Sequence, residues 1–358
     1  MSDPTTAGET MRAWRVHEYG DPLDVLQLDI VAVPMPEPGE VRVRTHAIPL
    51  NLNDLERITG GNMMAPPEFP YSPGMEVMGV VDACGDGAEH WLGRRVVATT
   101  KRAHGGFAEQ AICPTGALFD MPDDIELPGA AALYFPFHLA WLGLFDRARL
   151  AAGETVLVHA AAGGAGSAAV QLAKNCGARV FATAGTDHKV ELCRDLGADV
   201  AINYNTEDFE TLVLADTANR GVDVVFDNVG EAVWESSIKC TAYNGRYVMN
   251  GFSSNKAVAD EPFIVPRRVA LSNISLCGVL LNYADDDGID FLKTAMGWNV
   301  APTALGAQIT SEIVALVRTG AVRPVVGAVG NFEDLPMLID AMGKRQTTGR
   351  TIITVAVA

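Results

Sequence analysis

Apolar positions change their spacing partway along the chain, and the change divides it. Over residues 12–17, 25–33 and 40–47 apolar and polar side chains follow the short period of a half-buried strand, broken by turn chemistry such as Pro34-Met-Pro-Glu-Pro-Gly39. The same pattern predicts strands over 77–83, 95–99 and 110–113 and a short helix over 53–59, a β-rich, barrel-like unit. From residue 130 the period lengthens. A helix is predicted over 130–147, followed by strand 155–159, helix 165–175, strand 179–183, helix 187–196, strand 199–202 and helix 206–218. Strand 222–227, helix 231–240, and strands 245–249 and 274–281 complete a doubly wound parallel sheet. A tail with helix 310–319, strand 325–329, helix 332–342 and strand 351–357 is expected to return to the first unit. The predicted class is α/β, with a flexible extension at 1–10, a β-rich domain at 11–132, a nucleotide-binding domain at 133–283 and the rest of the first domain at 284–358. There is no internal repeat or low-complexity tract.

The turn after strand 155–159 carries the most chemistry. Ala160-Ala-Ala-Gly163-Gly164-Ala-Gly166 runs straight into a helical pattern. Small residues there let the backbone close on a pyrophosphate, and the N–H groups and dipole of the helix start face its charge. Ala162, Gly163, Gly164, Ala165 and Gly166 are therefore candidate cofactor contacts. In an NAD-binding fold an acid about 20 residues past the first glycine accepts the ribose hydroxyls. The corresponding stretch, Phe181-Ala-Thr-Ala-Gly-Thr186-Asp-His-Lys189, ends its strand without one. The Thr186 hydroxyl and Lys189 ammonium suit a 2′-phosphate, with Tyr204 placed to pack on the same group, so NADPH is the predicted cofactor. Asn228, within Asp227-Asn-Val-Gly230, and Asn250-Gly251-Phe252 close the next two strands, where the nicotinamide ribose and ring would lie.

Net charge of −17 in 358 residues disfavours general attraction to nucleic acid or anionic lipid. Residues 129–145 are almost uncharged but short for a membrane span and interrupted by Pro136 and His138. Residues 1–10 are polar and unlike a signal peptide. Six scattered cysteines form no C-x-x-C pair, which matches neither a zinc ribbon nor a small disulfide framework and points to a reducing, cytoplasmic setting.

Several motifs together carry a specific resemblance. Gly153-Glu-x-x-Leu157-x-x-x-Ala161-Ala-Gly-Gly-x-Gly166-x-x-x-x-Gln171-x-x-Lys174 is joined by Pro73-Gly-Met-Glu76-x-x-Gly79-x-Val81, Asn51-x-x-Asp54, Gly105-Gly-Phe-Ala-Glu109, Arg323-Pro and Thr348-Gly-Arg350. From residue 11 to the end the chain resembles the zinc-independent quinone oxidoreductase (zeta-crystallin-like) family of medium-chain dehydrogenases/reductases. The resemblance implies a GroES-like catalytic domain, a Rossmann domain, a cofactor in the cleft between them, commonly a homodimer, and Arg350 among the cofactor contacts. The apolar run 274–281, expected to end the sheet, would supply the pairing edge. The zinc-dependent relatives have His before the glutamate and Cys three residues before the aspartate; this chain has Met75 and Asn51. Met and Asn do not supply the donors that hold a catalytic zinc, so no metal is expected.

Without a Lewis acid, the reaction that needs least help is hydride addition from NADPH to an already conjugated acceptor, either a quinone or an α,β-unsaturated (enone or enoyl) carbonyl compound. Asn51 and Asn53 are candidates to orient the acceptor oxygen, and His138 to donate a proton. Positions where relatives often carry Tyr and Thr hold Glu56 and Leu139 here. Two alternatives stay open at this stage, an NADPH-binding sensor or structural protein with little catalysis, and an alcohol dehydrogenase with unusual metal ligands. Met63 and Met64, in the 61–67 loop, are expected to offer an adaptable apolar wall.

Overall fold

The computed structural model describes residues 9–61, 67–251 and 264–356. They form two compact units. One comprises the described residues within 1–131, 328–346 and 351–358, and the other those within 132–327 and 347–350.

In the first unit, β1 (Thr10–Val16) pairs antiparallel with β2 (Leu26–Ala32), separated by a single helical turn, α1 (Pro22–Val25). Asp21 starts that turn by accepting the Leu23 N–H at 2.9 Å. β3 (Glu40–Pro49) is the hub of a seven-stranded sheet, bonded to β4 (Glu76–Cys84) and β6 (Gln110–Pro114); β5 (Arg95–Thr99) and β7 (Leu118–Asp120) extend it. Valines 41, 43, 77, 81 and 96 share one buried face, as their alternation in sequence requires. Between β3 and β4 lies α2 (Leu52–Thr59), ended by Gly60 in the left-handed region at φ 78°.

In the second unit, α3 (Tyr134–Trp141) leads through a π-helical stretch, Leu142–Arg147, to β8 (Thr155–Val158). Then come α4 (Gly164–Asn175), β9 (Arg179–Ala184), α5 (Asp187–Asp195), β10 (Val200–Asn203), α6 (Phe209–Asp216), β11 (Val222–Asp227), α7 (Glu231–Lys239), β12 (Thr241–Met249), α8 (Pro266–Ser272) and β13 (Ser275–Gly278). The six strands are parallel in the order β10-β9-β8-β11-β12-β13. The order reverses between β8 and β11, and ligands of such sheets bind beyond the carboxyl ends of the strands at that point. Leu157, Phe181, Ile202, Val225, Trp234 and Tyr247 form one core beneath it, each apolar side chain contributing about 1.5–3 kcal/mol on burial.

The chain continues through β14 (Tyr283–Ala284), α9 (Asp286–Met296), β15 (Ala301–Pro302) and α10 (Thr303–Arg318). Finally β16 (Val326–Asn331), α11 (Leu335–Gly343) and β17 (Arg350–Thr354) return to the first unit, where β17 pairs with β3. Phe332, Leu335, Ile339 and Ile353 close a second core there with Ile48, Leu50, Ile58 and Phe107.

The boundary expected at 283 falls elsewhere. Residues 284–327 and 347–350 pack with the second unit, because Ile309 and Ile313 of α10 are buried on the side that meets α3. An apolar helical stripe says that a face is covered, not which body covers it. α10 also begins seven residues before the predicted start, since Ala304-Leu-Gly-Ala lacks a clear apolar period.

Candidate active site

At the end of β8 the chain leaves the sheet through Ala160, which adopts φ 50°. The Ala161 N–H donates to Thr183 O and the Gly163 N–H to Ala160 O, both at 3.0 Å, closing a tight turn onto α4. Gly166 is required by packing: a Cβ there would lie 2.2 Å from Ala160 O and 2.7 Å from Ala161 Cα. The turn and the helix start are thus pressed together, and the first-turn N–H groups, Ala165 among them, have no acceptor within the helix. A helix start built this way suits an anion such as a pyrophosphate.

Residues 347–350 complete this turn. Gly163 and Gly349 form a parallel β-bridge, and the Arg350 Cδ lies 2.9 Å from where a Gly164 Cβ would stand. Arg350 is buried, with its guanidinium carbon 5.9 Å from the centre of the Phe135 ring. Of the predicted cofactor contacts, the structure therefore brings Ala162 to Gly166 and Arg350 together.

The end of β9 is shaped by a helix cap and two amide bonds. Thr186 is the N-cap of α5, its Oγ1 accepting the Lys189 N–H at 3.3 Å, so that lone pair is spent on the helix. Asn203 donates to Asp187 Oδ1 at 2.7 Å, and Asn205 donates to Gly185 O at 2.7 Å. The carboxylate nearest this strand end is thereby tied to an amide. Tyr204 stands against Gly185, its Oη 2.5 Å from the position a Cβ would take, with its side chain half-exposed. Lys189, in the first turn of α5, and Tyr204 flank the same turn.

On the other side of β8, Asn228 donates to the His159 carbonyl at 3.1 Å, tying the ends of β8 and β11. A Cβ on Gly251 would lie 2.4 Å from Asn228 O, so only glycine fits there. Asn250 follows β12, and both its side-chain polar atoms are buried without a partner among the described residues. Buried amides are rarely left so, and an amide with both groups unspent at a strand's carboxyl end suits a polar cofactor group. A nicotinamide nucleotide fits these residues. Phe252 and the Met63-Met64 loop lie outside the described residues.

His159, absent from the predicted site, is the polar core of this region. Its ring nitrogens lie 2.9 Å from Thr183 Oγ1 and 2.8 Å from Ser237 Oγ, joining β8, β9 and α7. Burial drives its pKa down to about 3. The signal available in the sequence was a lone histidine ending an apolar strand.

His138 is equally buried, again with its pKa lowered to about 3 by burial. Thr310 donates its hydroxyl to Gly306 O at 2.9 Å, so it accepts from His138 Nε2 at 3.1 Å. The Nε2 therefore carries the proton, and Nδ1 accepts from Tyr283 Oη at 2.9 Å. A neutral imidazole with its one N–H given to Thr310 is poorly suited to the expected role of proton donor.

In the first unit, Asp54 is wholly buried and accepts the Met75 N–H at 3.0 Å and the Asn51 N–H at 2.9 Å. Asn51 donates both amide hydrogens, to Pro49 O at 3.2 Å and to Glu76 Oε2 at 3.0 Å. Its N–H groups are therefore committed and do not remain to orient an acceptor oxygen. Asn53 is exposed on α2, its carbonyl accepting from Arg57 at 2.8 Å. The Asn-x-x-Asp and Gly-Met-Glu motifs thus meet as one hydrogen-bonded hub. Glu76 is its sole carboxylate beside Asp54, and both acids serve as acceptors for N–H groups. No group of three His, Cys, Asp or Glu side chains suited to a metal occurs among the described residues, and the donors at this hub do not fit a catalytic zinc.

Two family models match the chain, "Alcohol dehydrogenase GroES-like domain" over residues 37–123 and "Zinc-binding dehydrogenase" over 164–294. Quinone oxidoreductase of Homo sapiens is 30% identical over 318 residues, covering 87% of this chain and 93% of that protein. Among solved structures, a mycobacterial protein, Rv1454c, complexed with NADPH superposes with a TM-score of 0.82 at 28% identity, over 96% of this chain and 99% of that one. A quinone oxidoreductase of Pseudomonas syringae superposes at 0.80 and 26% identity, over 96% and 99%. A two-unit oxidoreductase with a GroES-like sheet and a Rossmann sheet is the class these features define. The chain belongs to the quinone oxidoreductase family of the medium-chain dehydrogenases/reductases. It is an oxidoreductase that uses a nicotinamide nucleotide and acts on a small molecule.

Proposed function

We propose that the protein is an NADPH-dependent reductase of quinones or α,β-unsaturated carbonyl compounds that works without a metal. The observation that carries this reading is the hub at Asn51, Asp54 and Glu76, whose donors are engaged with one another and include neither Cys nor His. An alcohol needs a Lewis acid to ease loss of its proton, whereas a conjugated acceptor is already polarised. The bound nucleotide supplies the hydride. The glycine turn and Arg350 hold the diphosphate, Asn250 holds the nicotinamide half, and Lys189 with Tyr204 holds the 2′-phosphate. The strand itself ends without an acid, and the Asp187 carboxylate that follows accepts from Asn203 through Oδ1. We assign the proton that completes the reduction to solvent, since His138 is neutral and committed.

We further propose a homodimer joined through β13, the edge strand of the six-stranded sheet, and a reducing compartment, since all six cysteines are free thiols. Among the described residues no helix is long and apolar enough to cross a membrane. The deciding experiment follows NADPH oxidation over a panel of quinones, enones and simple alkanals, with and without a chelator. Turnover of the first two classes, indifferent to chelation, is expected. Turnover abolished by the chelator, or tight NADPH binding with no turnover on any acceptor, overturns the reading.

A further inference from the structure

α4 buries a glutamine. Gln171 is 5% exposed, on a helix whose Ala168, Val170 and Leu172 are buried as well. An amide in such a place is costly unless its groups are bonded, and here they are. Gln171 Nε2 donates to the Ser167 carbonyl at 3.1 Å and to the Arg323 carbonyl at 3.0 Å, while Oε1 accepts the Arg323 N–H at 2.8 Å. That N–H only donates and the Arg323 carbonyl only accepts, so the orientation of the amide is fixed. Arg323 lies outside any strand, and the amide meets both of its backbone groups as a neighbouring strand would.

What the amide grips leads back to the start of the same helix. Pro324 comes next, with φ fixed by its ring and no N–H of its own. Holding Arg323 therefore sets the course of the chain into Val325, whose carbonyl accepts the Arg350 N–H at 2.7 Å. The Arg350 side chain in turn reaches Gly164, the first residue of α4, its Cδ 2.9 Å from where a Cβ would stand. Gln171 sits two turns further along α4, about 10 Å down the axis. One helix thus turns its first N–H groups toward an anion and, two turns later, grips the segment that brings a guanidinium there. An apolar side chain of similar size would cover the same surface without gripping the backbone.

We propose that Gln171 is a positioning residue for cofactor binding: through Arg323, Pro324 and Val325 it holds Arg350 at the start of α4, where the diphosphate binds. This role rests on the nucleotide site proposed above. Gln171 acts only through Arg350, and the diphosphate is common to NADPH and NADH, so loss of the grip weakens both alike.

The test is a double-mutant cycle on the full-length protein, with nucleotide dissociation constants read by fluorescence titration. Gln171→Met removes the amide's bonds at similar volume and should raise both dissociation constants about three- to tenfold, the worth of about one hydrogen bond. In the Arg350→Ala background the same substitution should change them by less than about twofold, because the group it positions is gone. Hydrogen exchange of nucleotide-free Gln171→Met should quicken about tenfold at the Arg323 and Arg350 amides, while β8 and β11 keep their parent rates, which also shows that the variant is folded. Affinity within twofold of the parent, an effect undiminished by Arg350→Ala, or exchange raised throughout the sheet overturns the proposal. An Arg350→Ala variant that binds nucleotide like the parent overturns the diphosphate site itself and this role with it, an outcome distinct from the other three.

Discussion

The Gly349 N–H donates to the Ala162 carbonyl at 2.7 Å. These residues belong to opposite ends of the second unit's sequence, yet the bond fixes the wall of the glycine turn. Gly349 holds φ 53°, and a Cβ would meet Val325 O at 2.2 Å, so the close approach depends on glycine. Arg350, next in sequence, donates its N–H to that same Val325 carbonyl at 2.7 Å. Its side chain is thus delivered to the start of α4 by backbone pairing on both sides.

Arg350→Ala is expected to raise the NADPH dissociation constant by about ten- to a hundredfold, the range for a charge-assisted bond to phosphate. Arg350→Lys should recover only part of the loss, because an ammonium lacks the planar fork and the stacking on Phe135. Fluorescence titration of NADPH gives both values, and an Arg350→Ala affinity within twofold of the parent would place the guanidinium away from the nucleotide.

Lys189→Glu tests the choice of nucleotide. Facing a 2′-phosphate, the reversed charge should weaken NADPH by about a hundredfold while altering NADH by no more than about threefold. The ratio of the two dissociation constants is the measurement. An unchanged ratio would leave Lys189 as a solvated helix residue.

Asp54→Ala strips the acceptor from two buried backbone N–H groups, those of Asn51 and Met75. The expected loss of stability is about 3 kcal/mol, read from the denaturant midpoint of the first unit. Asp54→Asn keeps one acceptor oxygen and should cost less.

The histidines predict how stability depends on pH. His138 and His159 have folded pKa values near 3, against about 6.5 unfolded. Between these limits the unfolded chain binds the extra protons, so stability falls as pH drops through about 6.5 toward 3. From pH 6.5 to 5.5 each histidine removes about 1 kcal/mol. Denaturant midpoints over this range should show the slope, and His159→Phe should flatten it.

The strand and helix succession of the second unit is legible in the sequence because its strands are apolar runs punctuated by glycine. The tight turn at 160–166 is legible because small residues at that spacing let a strand end and a helix start press together. The partners of His138 were not: Tyr283 and Thr310 stand 145 and 172 positions away, and no local period links them. Thr186 was read as a phosphate ligand; that its oxygen also caps α5 by accepting the Lys189 N–H was not read, since a hydroxyl after a strand can serve a ligand, a helix cap or both. Asp54 was read only as part of a motif, because burial of a carboxylate among backbone N–H groups leaves no mark on residue order.

The first unit's sheet has a temporal consequence. Ile352 sits opposite Pro49, about 300 residues upstream, and such distant pairings are slow to form. On a ribosome β6 can cover Glu40–Arg44 early, but the Ala47–Pro49 end of β3 must wait for β17 while the whole intervening nucleotide-binding body emerges and folds. Newly made chains are therefore vulnerable to strand-mediated aggregation over that interval, and yield in a cell should respond to chaperone supply more than to changes in core packing.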